Sequence, residues 1–463
     1  MLDLAMVAIF NGYASRLTIA MGVEVDEGLR GIAEIVNAST RGATTMSSLD
    51  QRSSAVPRPE HVPEALVYDF DFFGDPGLIA DAHTRVLEVV RDAPPVFWTP
   101  RNGGHWMLRG HSAVFKASRD PESFTVERFK YEDILAAKAA LPPGEPAPLI
   151  PLPNSIDPPH HAMFRAPLLG VFSPKAMLAL KDDIRALAAE MIEAVKPQGG
   201  CEFMAAIGEP LPVSIFLKLF GLPVERQKEY RAIVKQHMAI RSFEPGAAQK
   251  RLRQVADVMG ETISERRAHP QNDILSTLWQ SNFDGRPAEV HDLENYGVML
   301  FLAGLDTVMN GMGLGVRHLA DHPELQASLR ANPKLVPDVS EELLRRYTFT
   351  LPPRLVTKDL EFEGVAMKEG ETAVLFLPAA DLDPTEFPEP GAFDIERENK
   401  AHIAFGTGVH RCLGSHLARI ELQVLYEEMM DRLPEFRIDR SKPLRYHGGP
   451  VWGPDKLHLL WDA

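Results

Sequence analysis

The stretch Ala404-Phe-Gly-Thr-Gly-Val-His-Arg-Cys-Leu-Gly-Ser-His-Leu-Ala-Arg419 is a glycine-rich loop that leads into a predicted helix. Gly406 and Gly408 allow backbone angles that other residues avoid, so the loop can turn tightly. Gly414 lets the new helix approach a flat group closely. Cys412 then lies near a helix N-terminus, where the dipole and the free N–H groups favour a thiolate over a thiol. A thiolate in this position could ligate iron.

The residues of this loop also allow two other interpretations of Cys412. An isolated cysteine is most often a small buried side chain in a turn. A nucleophilic cysteine needs a neighbouring base, and no motif in the sequence indicates one. The loop by itself leaves all three interpretations open.

The composition is typical of a soluble globular protein: 463 residues, 45% apolar residues and a formal net charge of −15. This negative charge provides no global positive field for nucleic acid or an anionic membrane. The two cysteines, Cys201 and Cys412, cannot form a disulfide framework, and no secretory signal peptide is recognisable. We therefore expect a cytoplasmic protein that binds neither nucleic acid nor a membrane.

Apolar residues recur at helical spacing along most of the chain, at 78–90, 175–196, 206–220, 226–240, 248–267 and 287–320. Strand character occurs at 97–109 and at 354–377, where the turn residues Glu369-Gly370 predict a hairpin. The sequence therefore predicts a mostly α protein with small β-sheets. Many prolines at 141–159 exclude a helix interior there and predict an extended loop, either a pocket wall or a surface connector.

The N-terminal region differs in composition from the rest. Residues 37–59 are rich in Ser, Thr, Ala and Pro and lack an apolar period, which predicts a linker or a disordered arm. We divide the chain into an N-terminal extension, residues 1–57, and one large domain, residues 58–463. The extension is expected to be disordered or to precede the native start, for which Met46 is the candidate.

A polar motif, Ala303-Gly304-Leu305-Asp306-Thr307, interrupts the long apolar segment from Tyr296 to Val316. Its acid argues for a buried core helix and against a membrane span. A glycine inside a helix costs about 1 kcal/mol relative to alanine, and a buried acid is costly unless paired. Such departures from local stability are typical of functional sites. The alternative is an acid paired to a structural base and a threonine bonded back to its own helix.

Two further charge patterns carry little information alone. Glu342 and Arg345 are spaced to share one helical face, which in isolation predicts only a solvated ion pair. His161 and Arg165 are likewise on one face of a predicted helix. They could bind carboxylates, or they could belong to an ordinary amphipathic helix.

The loop FGTGVHRCLGSHLAR resembles the heme-binding loop of the cytochrome P450 family. The residues on motif positions are Phe405, Gly406, Gly408, His410, Cys412 and Gly414. From about His61 onward the chain is similar to the bacterial camphor-hydroxylase branch, through the segments HVPEALVYDFDFF, NGGHW, SIDPP, AGLDTV and EELLRR. The resemblance implies the cytochrome P450 fold, a single large, mostly α domain with a smaller β-containing lobe.

By this resemblance the cofactor is heme b, iron protoporphyrin IX, and Cys412 is its metal ligand. The implied cofactor-binding residues are Cys412, Phe405, Gly406, His410, His161, Arg165, Arg354 and Gly414. Phe405 shields the sulfur, while the two histidines and the two arginines contact the heme propionates. A thiolate ligand favours O–O cleavage because it pushes electron density onto the iron.

The polar motif gains a catalytic role from the resemblance. Ala303 and Gly304 match the place where the family's helix is distorted to make room for dioxygen. Thr307 hydrogen-bonds the reduced oxygen, and Asp306 feeds protons towards it. A structural role beneath the heme is implied for three residues, Glu342, Arg345 and Arg397.

The implied activity is hydroxylation of an unactivated C–H bond with O2. Electrons come from NADH through a ferredoxin reductase and a [2Fe-2S] ferredoxin, which docks on the cysteine side, where Arg411 and the edge around His160 could form a positive patch. A peroxide-driven heme-thiolate catalyst and a non-catalytic heme-based sensor are the alternatives. The pair Asp306-Thr307 favours the O2-dependent enzyme, because a proton relay is needed when O2 is cleaved.

The expected substrate is a small apolar terpenoid. In the camphor-hydroxylase branch a tyrosine hydrogen-bonds a substrate ketone, and Leu149 takes its place here. The expected pocket residues are Leu149, Asn154, Met299, Leu302, Thr350 and Val451. This apolar set suits a monoterpenoid such as 1,8-cineole, or a norisoprenoid, oriented by shape more than by a hydrogen bond.

Overall fold

The computed structural model describes residues 55–142, 145–239, 247–283 and 285–462. Nearly all of the N-terminal extension assigned to residues 1–57, including Met46, lies outside these described residues. The domain that begins at residue 58 is described with only short gaps.

Helices dominate the described chain, as the spacing of apolar residues predicts. In chain order they are α1 (Pro76–Asp92), α2 (His111–Ser118), α3 (Tyr131–Ala139), α4 (His161–Leu169), α5 (Pro174–Leu178), α6 (Lys181–Val195), α7 (Pro210–Phe220), α8 (Gln227–Ala239), α9 (Ala247–Asp257), α10 (Gly260–Ala268), α11 (Ile274–Trp279), α12 (Val290–Gly304), α13 (Thr307–Asp321), α14 (Pro323–Ala331), α15 (Val336–Arg346), α16 (Leu377–Ala380) and α17 (Ser415–Arg432). The predicted segments 248–267 and 287–320 each form two helices.

Short strands complete the fold: β1 (Val96–Thr99), β2 (His105–Leu108), β3 (Phe124–Thr125), β4 (Gly200–Glu202), β5 (Asn282–Phe283), β6 (Arg286–Pro287), β7 (Pro353–Val356), β8 (Leu360–Phe362), β9 (Val365–Met367), β10 (Thr372–Leu375), β11 (Phe436–Ile438), β12 (Tyr446–His447), β13 (Gly453–Pro454) and β14 (His458–Trp461). The largest sheet has the order β1-β2-β10-β7-β3. A second sheet has the order β11-β14-β4. The predicted fold class, mostly α with small sheets, is therefore confirmed.

The predicted hairpin at 354–377 exists, but its turn was assigned to the wrong residues. The tight turn joins β8 to β9 at Glu363-Gly364, where φ is 53° and 76°. Two residues in succession with positive φ suit the twist of a hairpin. The predicted turn residue Gly370, with φ of 84°, instead brings the chain back to β10, which pairs with β7. The two Glu-Gly pairs look alike in sequence, and only the strand pairing distinguishes them.

The long apolar segment lies in the core as the helices α12 and α13. A capping box starts α12: Glu289 and Asp292 each accept a hydrogen bond from the backbone N–H of the other. The combined span Val290–Asp321 is long and apolar enough to cross a membrane by length and composition, yet more than half of its most apolar window is buried inside the protein. Its packing is that of a core helix, as the sequence predicts.

Beneath the helical core, α15 carries a buried ion cluster. Arg345 Nη2 lies 2.7 Å from Glu342 Oε1, and Arg345 Nε lies 2.8 Å from Glu342 Oε2. Arg397 Nε approaches the same carboxylate at 3.5 Å. All three side chains are buried. The structure thus brings together the three residues that the resemblance groups, and the solvated ion pair suggested by spacing alone is wrong.

Candidate active site

A cavity of about 440 Å³ lies between the α12–α13 segment, the residues leading into β7, and the cysteine loop. This volume is within the range of small-molecule sites. Its walls are largely apolar, and one end is lined by cationic side chains. Three residues of the polar motif, Ala303, Gly304 and Thr307, line the same cavity as Cys412, although more than 100 residues separate them from it in sequence.

The cysteine loop is held in shape by its glycines and by a backbone hydrogen bond. Gly406 and Gly408 have φ of 67° and 72°, which favours glycine at both positions. A Cβ at Gly408 would lie 2.3 Å from the carbonyl oxygen of Ser118, so no larger residue fits. The amide of Cys412 donates to the carbonyl of Phe405 at 2.8 Å, which closes the loop. The Phe405 ring lines the cavity.

Cys412 is exposed to the cavity, yet the protein atoms that surround its sulfur dominate the electrostatics of the thiol. Desolvation raises the pKa of the thiol, and the backbone N–H of Gly414 and the nearby arginines offset this only in part. The backbone N–H at the start of α17 therefore favours the thiolate, as the sequence predicts, but desolvation outweighs its effect on the pKa. A coordinated metal cation deprotonates a thiol outright, so a ligand role does not need a low pKa in the free protein.

Arginine and histidine side chains gather at one end of the cavity. Arg165, Arg354 and His410 line it. Arg165 Nη2 donates to the carbonyl of Arg411 at 2.5 Å, which ties α4 to the cysteine loop. His161 lies behind the lining, with its ring centroid 4.6 Å from that of His410. Burial lowers the pKa of His161 to about 4.

The polar motif breaks the long core helix beside the cavity. Helix α12 ends at Gly304 and α13 begins at Thr307, so Leu305 and Asp306 lie between the two helices. The Thr307 hydroxyl lines the cavity and donates to the carbonyl of Ala303 at 2.9 Å. Ala303 and Gly304 are cavity-lining residues as well. The break places a hydroxyl in an otherwise apolar wall.

Asp306 faces a different direction from Thr307. Its Oδ1 lies 3.7 Å from Arg231 Nη1, and it is not among the described residues that line the cavity. Arg231 also donates to the carbonyl of Leu305 at 2.8 Å. The structure therefore shows the paired acid of the alternative interpretation and does not bring the Asp306 carboxylate to the cavity. Adjacent residues at a helix start point in different directions, which explains the difference.

Comparison with known proteins agrees with this geometry. The model of the family "Cytochrome P450" matches residues 233–448. A relative from Sinorhizobium fredii (strain NBRC 101917 / NGR234), "Probable cytochrome P450 127A1", is 34% identical over 423 residues, which cover 89% of this chain and 98% of the relative. The chain belongs to the cytochrome P450 family. Members of this family are monooxygenases that bind heme b.

Solved structures place this P450 near the camphor-hydroxylase-like bacterial branch. The crystal structures of CYP101J2 and CYP101C1 are 32% and 30% identical to it, each with a TM-score of 0.77. Each match covers 88% of this chain and 100% of the solved chain. The recognition made from the cysteine loop is thus confirmed at the level of family and branch.

The cavity of this P450 fits heme b. A Cβ at Gly406 or Gly414 would meet no protein atom within 4 Å, so the space against both residues is open for a flat group. The sulfur of Cys412 is the kind of donor that a heme iron takes as an axial ligand. The arginines at the cationic end suit carboxylates through their planar fork. Buried nitrogens on two nearby histidines, His161 Nε2 and His410 Nδ1, have no partner among the described residues.

Four of the six predicted pocket residues line the cavity of the P450, and two do not. The four are Asn154, Met299, Thr350 and Val451. Leu149 is buried elsewhere, because its N–H and carbonyl are both bonded to the side-chain amide of Gln249. Leu302 packs into the core from α12, since the residues of that helix facing the cavity are Met299, Leu300, Ala303 and Gly304. These two assignments were wrong.

Among the lining residues that the sequence analysis missed are Phe216 and Glu421. The ring of Phe216 on α7 packs so closely on Gly304 that a Cβ there would lie 2.4 Å from the ring. Glu421 is 1% exposed, its Oε1 has no partner among the described residues, and burial raises its pKa well above the usual value. Its position four residues after Leu417 on the apolar face of α17 is a signal that could have revealed it.

Proposed function

We propose that this P450 hydroxylates an unactivated C–H bond of a small apolar terpenoid, such as 1,8-cineole or a norisoprenoid. Dioxygen is the oxidant, and the electrons come from NADH. The observation that supports this most is that Cys412 and Thr307 line the same largely apolar cavity. A thiolate and a hydroxyl in one water-poor space are what O2-dependent hydroxylation requires of the protein.

In this proposal Cys412 holds the heme iron, and the cationic end of the cavity holds the two heme carboxylates. Arg165, Arg354, His410 and His161 are the residues for that second task. Bound heme supplies the activation of dioxygen that the axial thiolate promotes. Phe405 shields the sulfur from the side of the loop.

The proton supply is assigned to the polar motif. The Thr307 hydroxyl, bonded to the carbonyl of Ala303 at 2.9 Å, can rotate to donate its proton into the cavity. The Asp306 carboxylate lies 3.7 Å from Arg231, a long contact for an ion pair, and it is partly exposed. We assign to it the renewal of the proton on Thr307, which requires it to leave Arg231.

The walls favour an apolar substrate of modest size. Met299, Phe216, Leu351 and Val451 are cavity-lining residues, and the cationic end is reserved for the cofactor. Asn154 and Thr350 offer isolated polar contacts. Since heme shares the cavity, the space that remains suits a compact terpenoid better than a large one.

The electron source in this proposal is a [2Fe-2S] ferredoxin with its NADH-dependent reductase, in the cytoplasm. Arg411 lies in the cysteine loop with an exposed side chain. It would meet an acidic ferredoxin despite the net charge of −15.

The experiment begins with the spectrum of the reduced carbonyl adduct, which reports thiolate ligation. We expect the wild type to show the thiolate signature and Cys412→Ser to lose it. Turnover is then measured as NADH consumption in the presence of ferredoxin and reductase, and the products are analysed. The substrates are taken from a panel of small terpenoids and selected by the spectral shift that they cause.

Other outcomes separate the alternatives. If Cys412→Ser still takes up heme normally and oxidises its substrate, the proposal is wrong. Equal product yield with hydrogen peroxide alone would identify a peroxide-driven catalyst. A thiolate spectrum without turnover under any electron supply would identify a sensor.

A further inference from the structure

Asp157, in the Asp-Pro-Pro turn, joins three parts of the chain. Its Oδ2 accepts hydrogen bonds from Thr125 Oγ1 at 2.5 Å and from the amide of Val126 at 2.9 Å. Its Oδ1 accepts one from His410 Nε2 at 2.6 Å. The residue is only 5% exposed. The carboxylate therefore fixes the cysteine loop to the segment that follows β3.

The hydrogen bond to Asp157 uses one ring nitrogen of His410, so only the other nitrogen can contact a further group. Since Nε2 is engaged, Nδ1 is the remaining polar atom of the ring. Nδ1 is buried and has no partner among the described residues, although His410 lines the cavity beside Arg165 and Arg354. A buried polar atom without a partner is energetically costly. Its presence at this end of the cavity points to a group that belongs there.

Residues in the segments that Asp157 joins also line the cavity. Val126, Pro153 and Asn154 line the cavity. The amide of Asp157 itself donates to Glu127 Oε1 at 2.8 Å, so the turn is fixed at its backbone as well. The buried carboxylate of Asp157 thus connects the cysteine loop, through His410, with the cavity-lining segment at Val126.

We propose that Asp157 is a positioning residue that holds the His410 ring, with an N–H on each nitrogen, between two carboxylates: Nε2–H donates to Asp157, and Nδ1–H donates to a carboxylate of the bound heme. Through Thr125 and Val126 it also couples this contact to the cavity wall. This inference rests on the proposed placement of the heme carboxylates at the cationic end. It assigns to Asp157 a role in cofactor retention and in the electrostatics of the heme, in addition to its role in the turn.

The test replaces Asp157 by asparagine, which keeps the shape and removes the charge. The amide can still accept from Thr125 or Val126, but its NH2 group then faces the donor Nε2 of His410. We expect heme transfer to an excess of apomyoglobin to become about tenfold faster or more, the range for a lost hydrogen bond to a charged group. The reduction potential of the heme is expected to rise, because a fixed negative charge near it has been removed.

Asp292→Asn is the matched control. Asp292 is also buried and bonded to an arginine, with its Oδ2 2.6 Å from Arg286 Nη1 at the start of α12. Its loss should lower stability without changing the heme transfer rate or the potential. Thr125→Val supplies a second variant, which removes one donor to Asp157 and keeps the charge. We expect it to speed heme transfer by a smaller factor and to leave the potential close to that of the wild type.

The outcomes distinguish this inference from the proposed function. If the wild type lacks the thiolate signature in its reduced carbonyl spectrum, the proposed function fails. If the signature is present and Asp157→Asn transfers heme at the wild-type rate with the wild-type potential, the inference is wrong. Should the asparagine variant not fold, an unchanged transfer rate in Thr125→Val would overturn it. If Asp292→Asn speeds heme transfer as much as Asp157→Asn does, the effect follows from lost stability in general and the inference is wrong as well.

Discussion

At the scale of single residues, the site depends on contacts that place ordinary side chains in unusual surroundings. Gly408 is required because the carbonyl of Ser118 leaves no room for a Cβ. Glu421 is buried beside the cavity, its Oε1 has no partner among the described residues, and burial raises its pKa well above the usual value. Such residues lower the stability of the protein, and departures of this kind are typical of functional sites.

The role of the Thr307 hydroxyl as a proton donor can be tested by removing it. Thr307→Ala removes the one hydroxyl of the polar motif, and we expect NADH consumption to continue while most of the electrons go to hydrogen peroxide. The reason is that reduced oxygen then lacks a placed proton donor. The measurement is the ratio of peroxide formed to NADH consumed, with a compound that gives a substrate-type spectral shift. Thr307→Ser is the control, and tight coupling in the alanine variant would argue against the relay.

A substitution at Gly304 is informative because helix propensity and steric contact predict opposite changes in the stability of the protein. Helix propensity alone predicts that Gly304→Ala stabilises α12 by about 1 kcal/mol. The structure predicts destabilisation by about 1–3 kcal/mol, because the new Cβ would lie 2.4 Å from the ring of Phe216. That ring stacks on Phe220 at 5.6 Å between centroids, a contact that it would have to give up to make room for the Cβ. Urea unfolding measures the change in stability.

A second substitution identifies the cause. Phe216→Leu in the same chain should restore part of the stability lost in Gly304→Ala, since the smaller side chain can move away from the Cβ. If the double variant loses the sum of the two single losses, the steric explanation is wrong.

At the scale of elements, the buried cluster on α15 links a helix to the loop that follows the sheet. Arg345 Nη1 donates to the carbonyls of Asp381 and Pro390 at 2.9 and 3.0 Å, so one guanidinium satisfies several backbone groups. The amide of Asp394 donates to Glu342 Oε1 at 3.0 Å. The cluster therefore holds backbone that has no regular secondary structure, directly ahead of the cysteine loop in the chain.

Removal of the acid from this cluster should be severe. Glu342→Gln leaves the buried Arg345 and Arg397 without their counter-charge, and breaking a buried pair in this way costs about 3–5 kcal/mol. We expect the urea midpoint to fall accordingly. Asp338→Asn, on the same helix, is the control. Asp338 pairs with Lys400 at 2.8 Å on the surface, where such pairs contribute about 0–1 kcal/mol. Similar losses in both variants would contradict the structural role.

The sequence predicts the elements better than their contacts. Helical periodicity locates the core helices, and the glycine-rich loop locates the cofactor site, because both patterns are local. Leu149 and Leu302 were misplaced, because the direction of a side chain depends on a partner such as Gln249 that lies far away in sequence. The sequence shows Asp157 only as part of a turn, because its partner His410 also lies far away in sequence. Its bond to His410 spans 253 residues.

At the scale of the whole molecule, polar side chains inside the core are held by partners from distant parts of the chain. Buried histidines are part of this pattern. His83 Nε2 lies 2.8 Å from the carbonyl of Thr348, and His318 Nδ1 lies 2.7 Å from the hydroxyl of Tyr347. Both rings are nearly inaccessible to solvent and contact Tyr347. They connect α1, α13 and the end of α15 in the core behind the site.

These histidines predict how the stability of the whole protein depends on pH. Burial lowers the pKa of His83 and of His318 to about 3, against 6.5 for an unperturbed ring. Below pH 6.5 the unfolded chain takes up protons that the folded protein does not bind. Stability is therefore complete above pH 6.5 and is lost as the pH falls towards 3, by about 1.4 kcal/mol per pH unit for each histidine.

A carboxylate contributes in a lower window. Burial raises the pKa of Glu341, but hydrogen bonds and charges from His402 and Arg419 outweigh this and lower it to about 2. Its contribution is present above about pH 4.5 and is lost between 4.5 and 2. Between pH 6.5 and 4.5 the buried histidines, including His105 and His161 with pKa values lowered to about 4, make the protein less stable as the pH falls, whereas the raised pKa of Glu421 acts in the opposite direction.

His83→Gln tests this assignment, because glutamine keeps a donor for the carbonyl of Thr348 but does not titrate. We expect the variant to be less stable than the wild type near neutral pH, and the difference to shrink by about 1.4 kcal/mol for each pH unit below 6.5. Urea midpoints followed by circular dichroism at several pH values measure this. His269→Gln, at an exposed position, is the control and should keep the wild-type slope. If His83→Gln also keeps that slope, the acid sensitivity arises elsewhere in the molecule.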